Sequence, residues 1–199
     1  MGARLGTLPL PPADLASREL PLSRIKGPLY RVHRANLPAL HFGKSGRSRF
    51  DDPLKGYGVL YAALKPEAAF AETFLRQLNR MLVEEEALTE RALSVITLKP
   101  MSCVNLGGDG LRRISCDNRI ADELPYDTSG LWSRAFFEHP QKPAGIVYRS
   151  RHNPQLKCVA VFSTFQDQLK AKDTTPLLDP ALRAWTGRQL SRYQLALVT

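Results

Sequence analysis

The stretch Gly58–Arg80, "GVLYAALKPEAAFAETFLRQLNR", changes its backbone period partway along. Val59, Leu60 and Tyr61 favour extended backbone and predict a strand. Lys65-Pro66-Glu67 breaks that run and opens a helix. Proline is tolerated at the first helical position, and the Glu67 carboxylate meets the positive end of the helix dipole. Phe70, Phe74, Leu78 and Met81 recur on one stripe and predict the core face of a helix reaching about residue 83. Glu72 interrupts this small, apolar surface. Its helical neighbours are Ala68, Ala69, Leu75 and Arg76. The ordinary reading is an i,i+4 ion pair with Arg76 on a solvated face, worth ~0.3–0.5 kcal/mol.

Outward from this unit the pattern is mixed. "PLYRVHR" (28–34) predicts a strand, and "HFGKSGRSRFDDPLKGYG" (41–58) a loop dense in Gly, Ser, Asp and Arg. "EEEALTERALSVITLKP" predicts charged helix or turn and then a strand at about 92–98. "VNLGGDGLRRISCDN" predicts a turn and a short element, and its "GGDG" lacks the spacing of a phosphate loop. "YDTSGLWSRAFFEH" offers Asp127, Thr128 and Ser129 as N-caps of an amphipathic helix carrying Leu131, Trp132, Ala135 and Phe136. "AGIVYRS" (144–150) and "KCVAVFSTF" (157–165) predict strands, and 180–198 a helix plus a strand. Residues 1–24, rich in Pro and Leu without a sustained period, are expected to form an N-terminal arm on a domain spanning 25–199. Strands both alternate with helices and follow one another. The expectation is a single α+β domain, with a mixed β-sheet core and flanking helices.

The chain of 199 residues is long enough for one full core. Its net charge of +9, carried largely by arginines near Gly and Ser, suits phosphate groups, an acidic protein partner or nucleic acid. Three cysteines (Cys103, Cys116, Cys158) without a C-x-x-C argue against a disulfide framework or a cysteine zinc site, and for a reducing cytoplasm. The four histidines have no metal-ligand spacing, so no metal is expected. No apolar run approaches the ~20 residues of a membrane span. The N-terminus, cut by prolines, does not read as a signal peptide.

Polar groups concentrate in three islands: "LYRVHR" with Arg31; "GRSRFDDPLKGYGVLYAALKPEAAFAETF" with Arg47, Arg49, Tyr57, Tyr61 and Glu72; and "GIVYRSRHNP" with Tyr148, Ser150, Arg151 and His152. This ordered set resembles the RES domain family, named for an Arg, a Glu and a Ser. The resemblance covers roughly residues 28–165. It implies an ADP-ribosyltransferase-like fold and a toxin of a bacterial toxin–antitoxin pair that consumes NAD+ or transfers ADP-ribose. It also implies a cognate antitoxin, an Xre-like DNA-binding protein that blocks the site. Carried over by motif, Arg31 is the family's Arg, Glu72 its Glu and Ser150 its Ser. Where many members have a "GGRW"-like segment, this chain reads "GRSRFDDP", and either Arg49 or Arg47 takes the arginine's place.

The residue types suit that chemistry. Guanidinium groups such as Arg31, Arg49 and Arg47 grip the two phosphates of NAD+ through bidentate, charge-assisted hydrogen bonds. A tyrosine face, Tyr61 or Tyr57, can stack on the flat, cationic nicotinamide. Breaking the nicotinamide–ribose bond develops oxocarbenium character, which a carboxylate such as Glu72 stabilises. Nicotinamide leaves as a neutral base, so no second carboxylate is required. Ser150 reads as a hydrogen-bonding positioner rather than a nucleophile. His33 and His152 read as structural or surface residues. Transfer of ADP-ribose to a protein is the alternative activity. A basic nucleic-acid-binding module is the alternative of another class, against which stands the lack of any helix-turn-helix, zinc-finger or aromatic RNA-binding pattern.

Overall fold

The computed structural model describes residues 7–76 and 81–198. The opening stretch forms β3 (Val59–Ala63) and α1 (Pro66–Phe74), with Pro66 in the first turn and Glu67 beside it. Eight strands build one sheet. Besides β3 these are β1 (Leu22–Ile25), β2 (Leu29–Arg34), β5 (Arg91–Leu98), β6 (Met101–Asn105), β7 (Gly145–Arg149), β8 (Lys157–Phe162) and β9 (Leu169–Pro176), in the order β1-β6-β7-β8-β3-β2-β5-β9. Only β6 and β7 run parallel; the other pairs are antiparallel. The chain between β6 and β7 carries α3 (Arg119–Asp122) and α4 (Asp127–Glu138), the crossover that a parallel pair needs. A separate two-stranded parallel sheet joins β4 (Leu82–Glu84), which leads into α2 (Glu85–Thr89), to β10 (Ala196–Val198) after α5 (Pro180–Arg192).

The sheet is buried on both faces at its centre, which the sequence of β8 records. Cys158, Ala160 and Phe162 enter the larger core, under α1, α4 and α5. Val159 and Val161 enter a smaller core on the opposite face. A residue period of two with every position buried gives the unbroken apolar run "CVAVF". Gly145 allows β7 to lie against β8, because a Cβ there would sit 2.1 Å from the Ala160 carbonyl oxygen.

One junction departs from regular pairing. β2 pairs with β5 along its whole length, and β3 with β8 along its whole length. Between β2 and β3 the register holds only one pair, Tyr30 with Ala63. The sheet therefore divides into two parts joined at that rung, and the strands splay apart beyond it.

Several expectations need correction. The helix from Pro66 stops at Phe74 rather than near residue 83. Leu75 closes it by donating its N–H to the Ala71 carbonyl, and β4 follows from Leu82. Met81 is exposed and takes no part in a core stripe, while Leu78 lies outside the described residues. The cap of α4 is Tyr126, with Asp127 already helical. The strand "KCVAVFSTF" ends at Phe162 and turns into a 3-10 segment. β9 was not expected, because an exposed strand reading Lys-Ala-Lys-Asp-Thr-Thr has no apolar alternation to betray it. The N-terminal segment packs on the domain: Leu8, Leu15 and Leu20 are buried in the larger core, and Leu22–Ile25 forms β1.

Candidate functional site

A cleft of about 440 Å³ opens where β2 and β3 part. β2 lines it with Tyr30, Arg31 and Val32, and β3 lines it with Val59, Tyr61, Ala62 and Ala63. The loop 41–51 forms one rim, and Tyr126, Tyr148, Arg151 and His152 form the other side.

Helix α1 supplies the remaining wall through Ala69, Glu72 and Thr73, spaced as one helical face, and Arg76 joins them from just beyond the helix end. Its other face is anchored. Phe70 is fully buried and packs 4.7 Å from Phe74 and 6.0 Å from Trp185, ring to ring. Ala68 and Ala71 are fully buried, and side chains this small let the helix lie close on the sheet. Thr73 returns its hydroxyl to the Ala69 carbonyl at 2.9 Å, within the helix. The alanines thus explain why a carboxylate stands among them: they leave space beside it.

The ion pair expected for Glu72 is not formed. Arg76 instead donates through Nε to the Glu72 backbone carbonyl at 2.9 Å. Oε1 of Glu72 is buried and has no hydrogen-bond partner among the described residues. A buried carboxylate oxygen left without a donor is costly and demands a reason beyond folding.

Five arginines line the same cleft (Arg31, Arg47, Arg49, Arg76 and Arg151) against the two carboxylates of Glu72 and Asp51. Arg31 donates to the Ala39 carbonyl at 2.6 Å, and burial lowers its pKa to about 10. Arg49 is nearly buried, donates to the Glu123 carbonyl at 2.7 Å and lies 4.6 Å over the Tyr126 ring. Burial lowers its pKa, and the surrounding tyrosines and Asp122 oppose that shift. Arg47 is exposed at the rim. Neither Arg47 nor Arg151 has a guanidinium hydrogen bond or ion pair among the described residues, so both can reach a ligand.

Tyr61 presents its ring to the cleft and anchors its hydroxyl at the far end. That hydroxyl donates to Asp51 Oδ1 at 3.0 Å and accepts the Phe50 N–H at 3.0 Å. Burial, and next the Asp51 carboxylate, hold its pKa well above the ordinary phenol value. Tyr57 does not belong here. Its ring is buried, stacked 4.0 Å from Phe137, with its hydroxyl 2.9 Å from Ser133. Tyr57 precedes β3, and its packing on Phe137 and Phe162 turns it into the core and away from the cleft.

Ser150 also stands behind the cleft rather than in its lining. It is 1% exposed, and its Oγ accepts the N–H groups of His152 and Asn153 at 3.2 Å each. It shapes the turn that delivers Arg151 and His152 to the cleft. His152 thus lies in the site, and burial lowers its pKa despite the opposing pull of Glu72. His33 is structural: its Nε2 meets Ser94 Oγ at 2.7 Å and Ser94 meets Thr174 at 2.7 Å. Asp51, Tyr126 and Arg76 carried no separate signal in the sequence. Only the register of "FDDP", beside the loop arginines, hinted at Asp51. Among the described residues no group of three or more His, Cys, Asp or Glu is placed to hold a metal ion, and no helix is long and apolar enough to cross a membrane.

The pattern of the RES domain matches residues 28–185. A protein of Sinorhizobium fredii named "Probable toxin y4kH" is 34% identical over 86 residues, which cover 43% of this chain and 67% of that protein. The toxin–antitoxin complex MbcT–MbcA of M. tuberculosis contains a chain that superposes with a TM-score of 0.65 at 17% identity. That superposition covers 87% of this chain and 98% of the other, and at this identity it shows a shared fold.

Proposed function

This chain belongs to the RES domain family and has its α+β, ADP-ribosyltransferase-like fold; from that premise we propose that it is the toxin of a toxin–antitoxin pair, and that it consumes NAD+ by cleaving the nicotinamide–ribose bond. The observation that carries this reading is the buried, unpartnered Oε1 of Glu72 in a cleft otherwise dominated by arginines. A dianionic pyrophosphate fits the arginines, and a ribose losing a neutral base fits the Glu72 carboxylate, since the other carboxylate, Asp51, is taken up by hydrogen bonds.

In this reading Arg49, fixed against Tyr126, and Arg31 hold the phosphates, and Arg47 closes on them from the rim. The Tyr61 ring takes the nicotinamide. Glu72 faces the ribose, where its charge offsets the developing oxocarbenium and its free oxygen accepts a ribose hydroxyl. The bond to nicotinamide breaks with its electrons leaving on the ring nitrogen, so the departing base is neutral. Water or phosphate then bonds to the anomeric carbon, giving ADP-ribose or its 1-phosphate. Ser150 acts from behind by holding the turn that carries Arg151 and His152.

The family relatives named above favour a partner antitoxin. The net charge of +9 favours one with an acidic segment. The test is mass spectrometry of the products after mixing purified protein with NAD+, with and without phosphate. Free nicotinamide with ADP-ribose or its phosphate supports the reading. Label transferred to protein would instead make it an ADP-ribosyltransferase, and intact NAD+ in every arm would overturn it.

A further inference from the structure

We infer that Asp51 is a positioning residue that ties the Tyr61 platform to the arginine loop and so fixes the spacing between the two ends of the cleft. Asp51 lines the cleft yet is only 4% exposed. One oxygen, Oδ1, accepts the Tyr61 hydroxyl at 3.0 Å. The other, Oδ2, accepts the Ser45 hydroxyl at 2.8 Å and the backbone N–H groups of Arg47 and Ser48 at 3.2 Å each. All four contacts are donations to the carboxylate. Gly46 makes the convergence possible: its φ of +72° is a left-handed turn that L side chains seldom adopt. The Tyr61 oxygen is meanwhile filled from its other side by the Phe50 N–H, so the ring cannot swing without breaking two bonds.

The neighbouring Asp52 makes a different link, from the loop to helix α4. Its carboxylate accepts the N–H groups of Leu54 and Gly56 and pairs with Arg134, and it does not line the cleft. Asp51 instead splits its two oxygens between a strand and a loop. Asparagine fills the same volume, but with its one acceptor oxygen on the loop amides only its NH2 would face Tyr61, leaving the Tyr61 proton without an acceptor beside an oxygen that already takes the Phe50 N–H. The requirement is therefore for a carboxylate, not merely for a polar side chain.

For the reaction, the inference rests on the NAD+ reading. The platform and the arginines grip opposite sides of the bond that breaks, and a shift of one against the other spoils the transition state more than ground-state binding. D51N is expected to lower kcat by ~10- to 100-fold, as misplacement of reacting groups does, with a much smaller change in KM. Y61F is expected to lose activity through the same link, so the D51N/Y61F double variant should be little worse than the poorer single. Multiplying losses in the double variant would overturn the coupling.

Amide hydrogen exchange on the full chain supplies a readout independent of turnover. D51A should expose the Arg47 and Ser48 amides to exchange while the amides of β3 and β8 keep their protection, and D51L, which also removes both acceptor oxygens, serves if D51A does not fold. Unchanged protection at Arg47 and Ser48 overturns the inference even in a fully active enzyme. A wild-type protein that leaves NAD+ intact overturns the functional reading instead, and the exchange result then decides the role of Asp51 by itself.

Discussion

At the scale of single residues, the site turns on Glu72. Because Arg76 bonds the backbone rather than the carboxylate, Glu72→Gln removes charge without breaking an ion pair. Its melting temperature should equal or exceed that of the wild type, since a buried unpartnered oxygen costs stability. NAD+ turnover should fall ~100-fold or more, the size of losing one electrostatic stabiliser. Turnover near the wild-type rate would end the catalytic assignment. Arg31 makes a different demand, because its guanidinium reaches the Ala39 carbonyl at 2.6 Å and still faces the cleft. Arg31→Ala should raise KM for NAD+ strongly, and Arg31→Lys should restore it only in part, since lysine keeps the charge and loses the fork. Equal KM for wild type and the lysine variant would reduce Arg31 to a generic charge.

Among the elements, the loop 41–58 and helix α4 depend on one another through Asp52. This carboxylate is 1% exposed. Burial alone would raise its pKa, but the N–H groups of Leu54 and Gly56 and the Arg134 guanidinium hold it below the ordinary 3.8. A depressed folded-state pKa gives stability that is complete above the unfolded-state value and is lost as pH falls through the folded-state value. Asp52→Asn should therefore lower the melting temperature near neutral pH, and the gap to wild type should narrow as the pH falls below 3.8. Thermal melts across that range check it, and a gap that stays constant with pH would show that shape rather than charge holds the loop.

For the whole molecule, the proposed toxin function carries with it control by a partner at the basic, open cleft. The proposed antitoxin should place an acidic side chain or terminal carboxylate at the arginines and exclude NAD+ directly. Inhibition measured at several NAD+ concentrations should be competitive, and Arg31→Ala or Arg49→Ala should loosen the complex. Inhibition independent of NAD+ concentration would place the partner elsewhere on the surface.

Much of this architecture was legible without coordinates. The strand-to-helix step at Lys65-Pro66, the buried run "CVAVF" and the arginine-bearing loop are local patterns, and local backbone preference follows from side-chain shape along the chain itself. The islands around Arg31, Glu72 and Arg49 could be named from the sequence for the same reason. Tertiary structure alone decided how they meet. The split between β2 and β3 is a matter of which strand claims which partner, and both strands read equally well as fully paired. Tyr57 and Tyr61 look alike in sequence; packing against Phe137 buries one, and Asp51 holds the other at the cleft. Ser150 and Asp51 act through short-range hydrogen bonds, Ser150 to His152 and Asn153 and Asp51 to Ser45, Arg47, Ser48 and Tyr61, but only the fold brings these two turns to one cleft. That meeting depends on closing long loops, an entropic cost met by the fold as a whole and written in no single stretch of the chain.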